Sequence, residues 1–268
     1  MCELTRRAGE AVVVSADTVL LVERAIEAWR ITGGSFDPTV LGDVLRAGYD
    51  RSFIDLHVRA DAPSSGLVIG CTDIEIVGDT VRLPAGTGFD AGGIGKGLAA
   101  DLVTAEVLAG GAAGVCINLG GDLRVAGASP DGPGWTVAIE HPWSQVAVVL
   151  IGVAAGAVAT STTLKRTWTV GGEARHHLID PATGAPSASD LNLASIVTAE
   201  AWLAEVLAKA VLLRGSARAF DLIDPGVAQA LTVDADGVVR TTAGFADYLG
   251  GVHPPTSIPV PSREGELS

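Results

Sequence analysis

Between residues 115 and 172 six short apolar runs follow in close order: VCINL, DLRVAG, WTVAIEHP, QVAVVLIG, AVAT and RTWTVGG. Turn-forming glycine, proline and polar residues separate them, and that spacing predicts consecutive strands of a mostly antiparallel sheet. Helical segments flank the block. Ser15 is placed to cap a helix whose Val19, Val22, Ile26 and Trp29 share one face and which stops at Gly33-Gly34. A second helix is expected over Lys96–Leu108, entered through the turn DAGGIG, and a third over Glu200–Leu213, closed by Gly215. Two hairpins are read at DIEIVG/TVRLP and at Gln229–Val233/Val238–Arg240 around DADG. The expected fold is α+β, with mixed, largely antiparallel sheets and packed helices. One domain is read over residues 1–250, and a Pro- and Ser-rich tail at 251–268 is expected to be disordered.

Composition narrows the function. At 268 residues and 48% hydrophobic the chain can bury a substantial core. Its formal charge of -13 argues against a nucleic-acid partner or an anionic membrane surface, both of which reward clustered Lys and Arg. Any anionic ligand must therefore be held locally. Cys2, Cys71 and Cys116 form neither a CxxC pair nor an even disulfide set. No run of about 18 apolar residues suggests membrane insertion. The opening MCELTRRAGEAVVVSAD lacks the apolar run of a signal peptide, so a cytoplasmic location is expected.

Five polar or glycine-rich islands interrupt the apolar segments: TGGSFDPTV, DAGGIGKG, NLGGDL, ATSTTLKR and HHLIDPATG. The glycines and lysine of DAGGIGKG invite comparison with a phosphate-binding P-loop. That motif needs Gly where this chain has Asp90, and Ser or Thr where it has Gly97. Taken singly, Asp-Pro and Gly-Gly are turn signals.

In their order the islands resemble the ApbE-like family of FAD:protein FMN transferases. That family carries FDPTV, D-x-GGI-x-KG-x-A-x-D, N-x-GGD, ATS and H-x-x-DP-x-TG elements, and the match runs from about residue 3 to residue 250. The resemblance implies transfer of FMN from FAD to a Thr or Ser hydroxyl of an acceptor flavoprotein, with release of AMP. It implies that Asp90 and Lys96 contact FAD and that the Gly93 carbonyl ligates Mg²⁺. His177 matches the position of the base, with His176 as the neighbour that would face the other way. Ser35, Phe36 and Asp37 match a flavin- or adenine-contacting element. Asn118, Gly120 and Gly121 suggest close approach of backbone to ligand, Thr160 and Ser161 could donate to phosphate, and Asp180 belongs to a turn framing the pocket.

Two departures accompany the resemblance. Many members place Asp and Thr or Ser four residues apart in the late helix to ligate the metal, where this chain has Glu205 and Lys209. Glu205 can still bind Mg²⁺, whereas the Lys209 ammonium cannot; either it reaches the diphosphate in the metal's place or the site only binds flavin. The family also carries a strand and helix ahead of the segment matching CELTRR; either the true start lies upstream of Met1 or part of the sheet and pocket is lost. A flavin carrier without transferase activity and an FAD pyrophosphatase giving FMN and AMP are the alternative functions.

Overall fold

The computed structural model describes residues 2–56, 65–68, 70–130, 132–144 and 146–249. In chain order its elements begin with α1 (Cys2–Arg6), β1 (Ala11–Val13), α2 (Ala16–Ile31), α3 (Leu41–Arg46), β2 (Glu75–Val77), β3 (Thr80–Arg82) and α4 (Gly95–Ala109). The strands β4 (Gly114–Leu119), β5 (Asp122–Gly127), β6 (Trp135–Glu140), β7 (Ala147–Val153), β8 (Gly156–Thr162), β9 (Thr167–Val170) and β10 (Glu173–His176) follow. The short β11 (Ile179–Asp180) and β12 (Ala185–Pro186) lead to β13 (Leu191–Thr198), α5 (Ala201–Arg214), β14 (Ala228–Asp234) and β15 (Val239–Thr241). The expected tail at 251–268 lies outside the described residues.

The fold is α+β, and the pairings between its named strands are antiparallel. The six runs do not, however, enter one sheet. β4, β5 and β8 join β13, β14 and β15 in a six-stranded sheet of order β15-β14-β13-β8-β5-β4, whereas β6-β7 and β9-β10 form separate two-stranded ribbons. The physical reason lies in the side chains. Val137, Ile139, Val149 and Ile151 of the β6-β7 ribbon need an apolar partner, and they find it in Val125, Val158, Leu193 and Val197 on one face of the large sheet. Packing a ribbon across that face buries more apolar surface than extending the sheet's edge.

Strand β13 shows how the two faces are divided. Leu193 and Val197 join the ribbon side, and Ala194 and Ile196 join the helix side. Leu191 has the parity of Leu193 yet packs on the helix side, because the register with β14 shifts between them.

Helix α5 is buried almost all round, as expected of a helix between two cores rather than on a surface. Leu207, Ala208 and Val211 pack on Ala157, Ala159 and Ala194 of the large sheet. Trp202 and Val206 meet a second core built from α2, the β1-β3-β2 sheet, Phe36, Phe89 and Ile94. The start of α5 is held by α4: Asp101 accepts hydrogen bonds from the Ala201 and Trp202 backbone, both at 2.9 Å, and pairs with Arg124 at 3.0 Å. Side-chain acceptance at a helix's first N–H groups is worth about 1 kcal/mol in ordinary caps.

Gly97 explains why α4 and α5 come so close. A Cβ at this position would lie 2.6 Å from the Trp202 Cα and closer still to the Ala201 carbonyl. This glycine therefore serves the contact between the two helices. Gly97→Ala should lower stability by about 1–3 kcal/mol through overpacking, read as a fall in the urea midpoint at unchanged slope.

Candidate active site

Two adjoining clefts are walled by α5 and by the loops after β8 and β10. The first, about 680 Å³ with its open mouth, has apolar walls from Phe36, Val40, Val44, Tyr49, Leu178 and Ile179, with Ser35, Asp37 and Asp90 among its polar groups. The second, about 530 Å³, is lined by Lys96, Lys165, Arg166 and Lys209 together with Asp122, Gly120, Thr160 and Ser161. Four of its lining side chains are cationic, in a chain whose formal charge is -13; Lys96 pairs with Asp122 and Lys165 with Glu140 at 3.4 Å. Gly92, Arg166, His177 and Lys209 line both clefts.

At the base of the second cleft lies a buried ionic cluster. Glu205, 1% exposed, accepts from Lys96 at 2.9 Å and from Lys209 at 3.2 Å through Oε1, and from the Gly97 N–H at 2.8 Å through Oε2. Lys96 also pairs with Asp122. Burial by itself would raise the Glu205 carboxyl, but Lys209, Lys96 and the Gly97 N–H outweigh it and hold the group below its ordinary value. Burial, helped by Lys209 and Arg166, lowers the Lys96 ammonium, against the opposing pull of Glu205. The Gly97 N–H, one of those at the start of α4 that lack a partner within the helix, is thus used by a carboxylate.

The two adjacent histidines separate cleanly. His176 is held at both ring nitrogens: Nδ1 accepts from the Leu178 N–H at 3.3 Å, and Nε2 lies 3.0 Å from the Ser187 carbonyl. His177 lines both clefts, and its Nδ1 is buried with no protein partner. Burial first, then Lys209, Arg166, His176 and Lys96, push the His177 imidazole down to about 3. It is neutral at physiological pH, and neutral imidazole can take a proton.

Of the other expected residues, some line these clefts and others do not. Ser35, Phe36, Asp37, Asp90 and Gly93 line the first cleft, and Lys209 stands between the two. Asp37 accepts from the Thr39 N–H at 2.7 Å; burial raises its carboxyl above the usual range, against the pull of that bond. Asp90 accepts from the Gly92 N–H at 2.8 Å, which sets the turn into α4. Asp180 opens a turn closed by Gly184 N–H to its carbonyl at 2.8 Å, and lines a neighbouring groove with Ser35, Arg214 and Arg218. Thr160 pairs with Ser195 across β8 and β13 at 2.9 Å. Asn118 is exposed and accepts from the Gly121 N–H at 2.8 Å. It thereby stabilises the β4-β5 turn, where Gly120 and Gly121 have φ of 66° and 100°. Gly120 lines the second cleft, and Gly121 and Asn118 are not among the residues lining it.

The side chains at the expected metal position do not fit a divalent cation. Both Glu205 oxygens are engaged, the fourth residue along the helix ends in an ammonium, and among the described residues no three His, Cys, Asp or Glu are grouped to hold a metal.

The sequence profile of the ApbE family matches residues 1–232. The chain belongs to the ApbE family. It is 29% identical to an FAD:protein FMN transferase of Treponema pallidum over 93% of this chain and 74% of that one. It is 31% identical to an FAD:protein FMN transferase of Rhodobacter capsulatus over 78% of this chain, spanning 40% of that longer protein. Its fold superposes on the crystal structure of the ApbE protein of Thermotoga maritima with a TM-score of 0.81 at 25% identity, covering 92% of this chain and 82% of the other.

Within this ApbE-family site, Arg166 is the residue that motif reading passed over. Its φ of 54° is left-handed and uncommon for a non-glycine residue. The signal was present, since the ATSTTLKR island contains it, but nothing in the letters says which of its polar residues lines both clefts.

The depressed His177 has a measurable consequence. Between pH 6.5 and about 3 the unfolded chain binds a proton at this ring that the folded chain does not, so stability falls as pH drops through that window. His177→Asn should flatten part of this fall, read as a smaller difference in urea midpoint between about pH 7 and about pH 4.5 than in the unaltered protein.

Proposed function

We infer that this chain transfers FMN from FAD to a Thr or Ser hydroxyl of an acceptor flavoprotein, releasing AMP. The observation that carries the reading is the junction of an apolar, aromatic-walled cleft with a cationic one, and an imidazole with an unpartnered buried nitrogen in the shared wall. FAD has matching parts: flat aromatic ring systems at its ends and a diphosphate between them. An aromatic ring gains from apolar walls and from Phe36 and Tyr49, while the diphosphate gains from the lysine- and arginine-lined side.

The chemistry balances without redox change. The acceptor oxygen bonds to the phosphorus bearing the riboflavin chain, the bond from that phosphorus to the bridging oxygen breaks, and the electron pair leaves on the phosphate of AMP. The hydroxyl proton passes to His177. In the empty site this imidazole is a weak base, because burial and three neighbouring cationic side chains disfavour its charged form. A bound diphosphate offsets those charges and raises its basicity, so the base is strengthened by the substrate it serves. Asp90, Asp37 and Ser35 position the ligand in the first cleft, and Thr160 and Ser161 offer hydroxyls in the second.

The transferase unit is taken as residues 1–250, and action in the cytoplasm is part of this reading. Free thiols at Cys71 and Cys116 accord with it, and among the described residues no helix is long and apolar enough to cross a membrane.

Incubation of the protein with FAD and a threonine-containing acceptor peptide tests the reading by mass spectrometry. A peptide carrying FMN, with AMP released, is the expected result. Free FMN in place of labelled peptide would mean hydrolysis, and FAD bound but unchanged would mean a carrier. His177→Asn should reduce kcat by about 10²–10⁴-fold while FAD affinity stays within about threefold.

A further inference from the structure

Resting on the transferase reading, one residue carries an inference beyond it. Lys209 occupies the ground between Glu205, the Gly93 backbone and both clefts. Its ammonium lies 3.2 Å from Glu205 Oε1, and its side chain is 15% exposed. Its aliphatic stem rests on the glycine-rich turn, since a Cβ at Gly93 would lie 3.3 Å from Lys209 Cδ and 3.4 Å from Cε. The head group is therefore fixed from two sides, by a carboxylate one helical turn away and by backbone beneath the stem. It lines the second cleft beside Arg166 and His177.

Lys96 is a poorer candidate for meeting a ligand, because it is already shared between Asp122 and Glu205. An ammonium has three donors, and the hydrogen bond to Glu205 uses one of those on Lys209. Three of the roughly four acceptor sites on the Glu205 carboxylate, which is 1% exposed, are already used by Lys96, Lys209 and the Gly97 N–H, and a divalent cation at the remaining one would stand against two ammonium groups.

We propose that the Lys209 ammonium, fixed by Glu205 and the Gly93 backbone, takes the place of a divalent cation at the diphosphate, so that FAD binds and reacts without metal. Glu205 is then a positioning residue, which holds the ammonium instead of ligating an ion. A fixed point charge in a partly buried wall can stabilise charge as it moves onto the leaving phosphate, with no metal to load.

The test titrates FAD into the full chain, followed by quenching of flavin fluorescence, in EDTA and again in excess Mg²⁺. Affinities within about threefold of each other are expected, together with peptide flavinylation that persists in EDTA. Lys209→Met should weaken FAD about tenfold or more while leaving riboflavin, which has no phosphate, within about twofold. Lys209→Arg should recover most of the FAD affinity. A requirement for Mg²⁺ in the unaltered protein would overturn the proposal and leave the transferase reading standing. Equal weakening of FAD and riboflavin by Lys209→Met would also overturn it, since that marks a packing role. Absence of FAD binding in both buffers would overturn the transferase reading and this proposal with it.

Discussion

The architecture of the site depends on one buried carboxylate. Burying an isolated charge costs several kcal/mol, so Glu205 is tolerable only because three donors reach it from two helices. Those donors fix the separation of α4 and α5 at the level of Gly97, aim Lys96 toward the β4-β5 turn and pin Lys209 against Gly93. Asp101 makes the reciprocal tie one turn further along α4, accepting from the first N–H groups of α5. Each helix thus caps the other with an acid, and the glycine between the two ties lets the backbones meet. The polar links and the close packing support one another, and the cationic cleft is set above them.

The clefts differ in kind as well as place. One is walled by aromatic and aliphatic side chains, the other by ammonium and guanidinium groups. In an acidic protein a concentration of positive charge at the end of an apolar pocket focuses the local field inward. A ligand with only an aromatic part, or only an anionic part, would use half of what is offered. Thr160 and Ser161 reach the cationic side because β8 runs through the middle of the large sheet, so these hydroxyls are carried on a rigid element.

Much of this was legible in the letters. Helix α2 follows from Ser15 and the spacing of its apolar residues, the DADG hairpin forms where its turn residues place it, and α5 begins within one residue of the expected start. Strand partners beyond the two hairpins were not legible. β6 and β7 have the same local pattern as their neighbours, and the choice of a separate ribbon is made by Val125, Val158 and Leu193, residues brought to them by the fold of the large sheet. In the site, the differing surroundings of the two adjacent histidines were legible as opposite facing: His176 is hydrogen-bonded at both ring nitrogens, and His177 lines the clefts with a buried, unpartnered Nδ1. The roles of Gly97 and of Glu205 were not readable, because a close helix crossing and a three-donor carboxylate are facts of tertiary contact. Asn118 reads as a ligand-facing residue and stands here as a turn former, since short amides serve both purposes equally well in sequence.

Arg166 is of a different kind, because its backbone is in a conformation that side chains resist. A chain shaped by folding stability alone would drift toward glycine there, relieving the steric conflict at no loss to the core, which does not include this residue. Arg166 lines both clefts, so an anion bound there would draw on a charge that the chain carries at the cost of an unfavourable torsion.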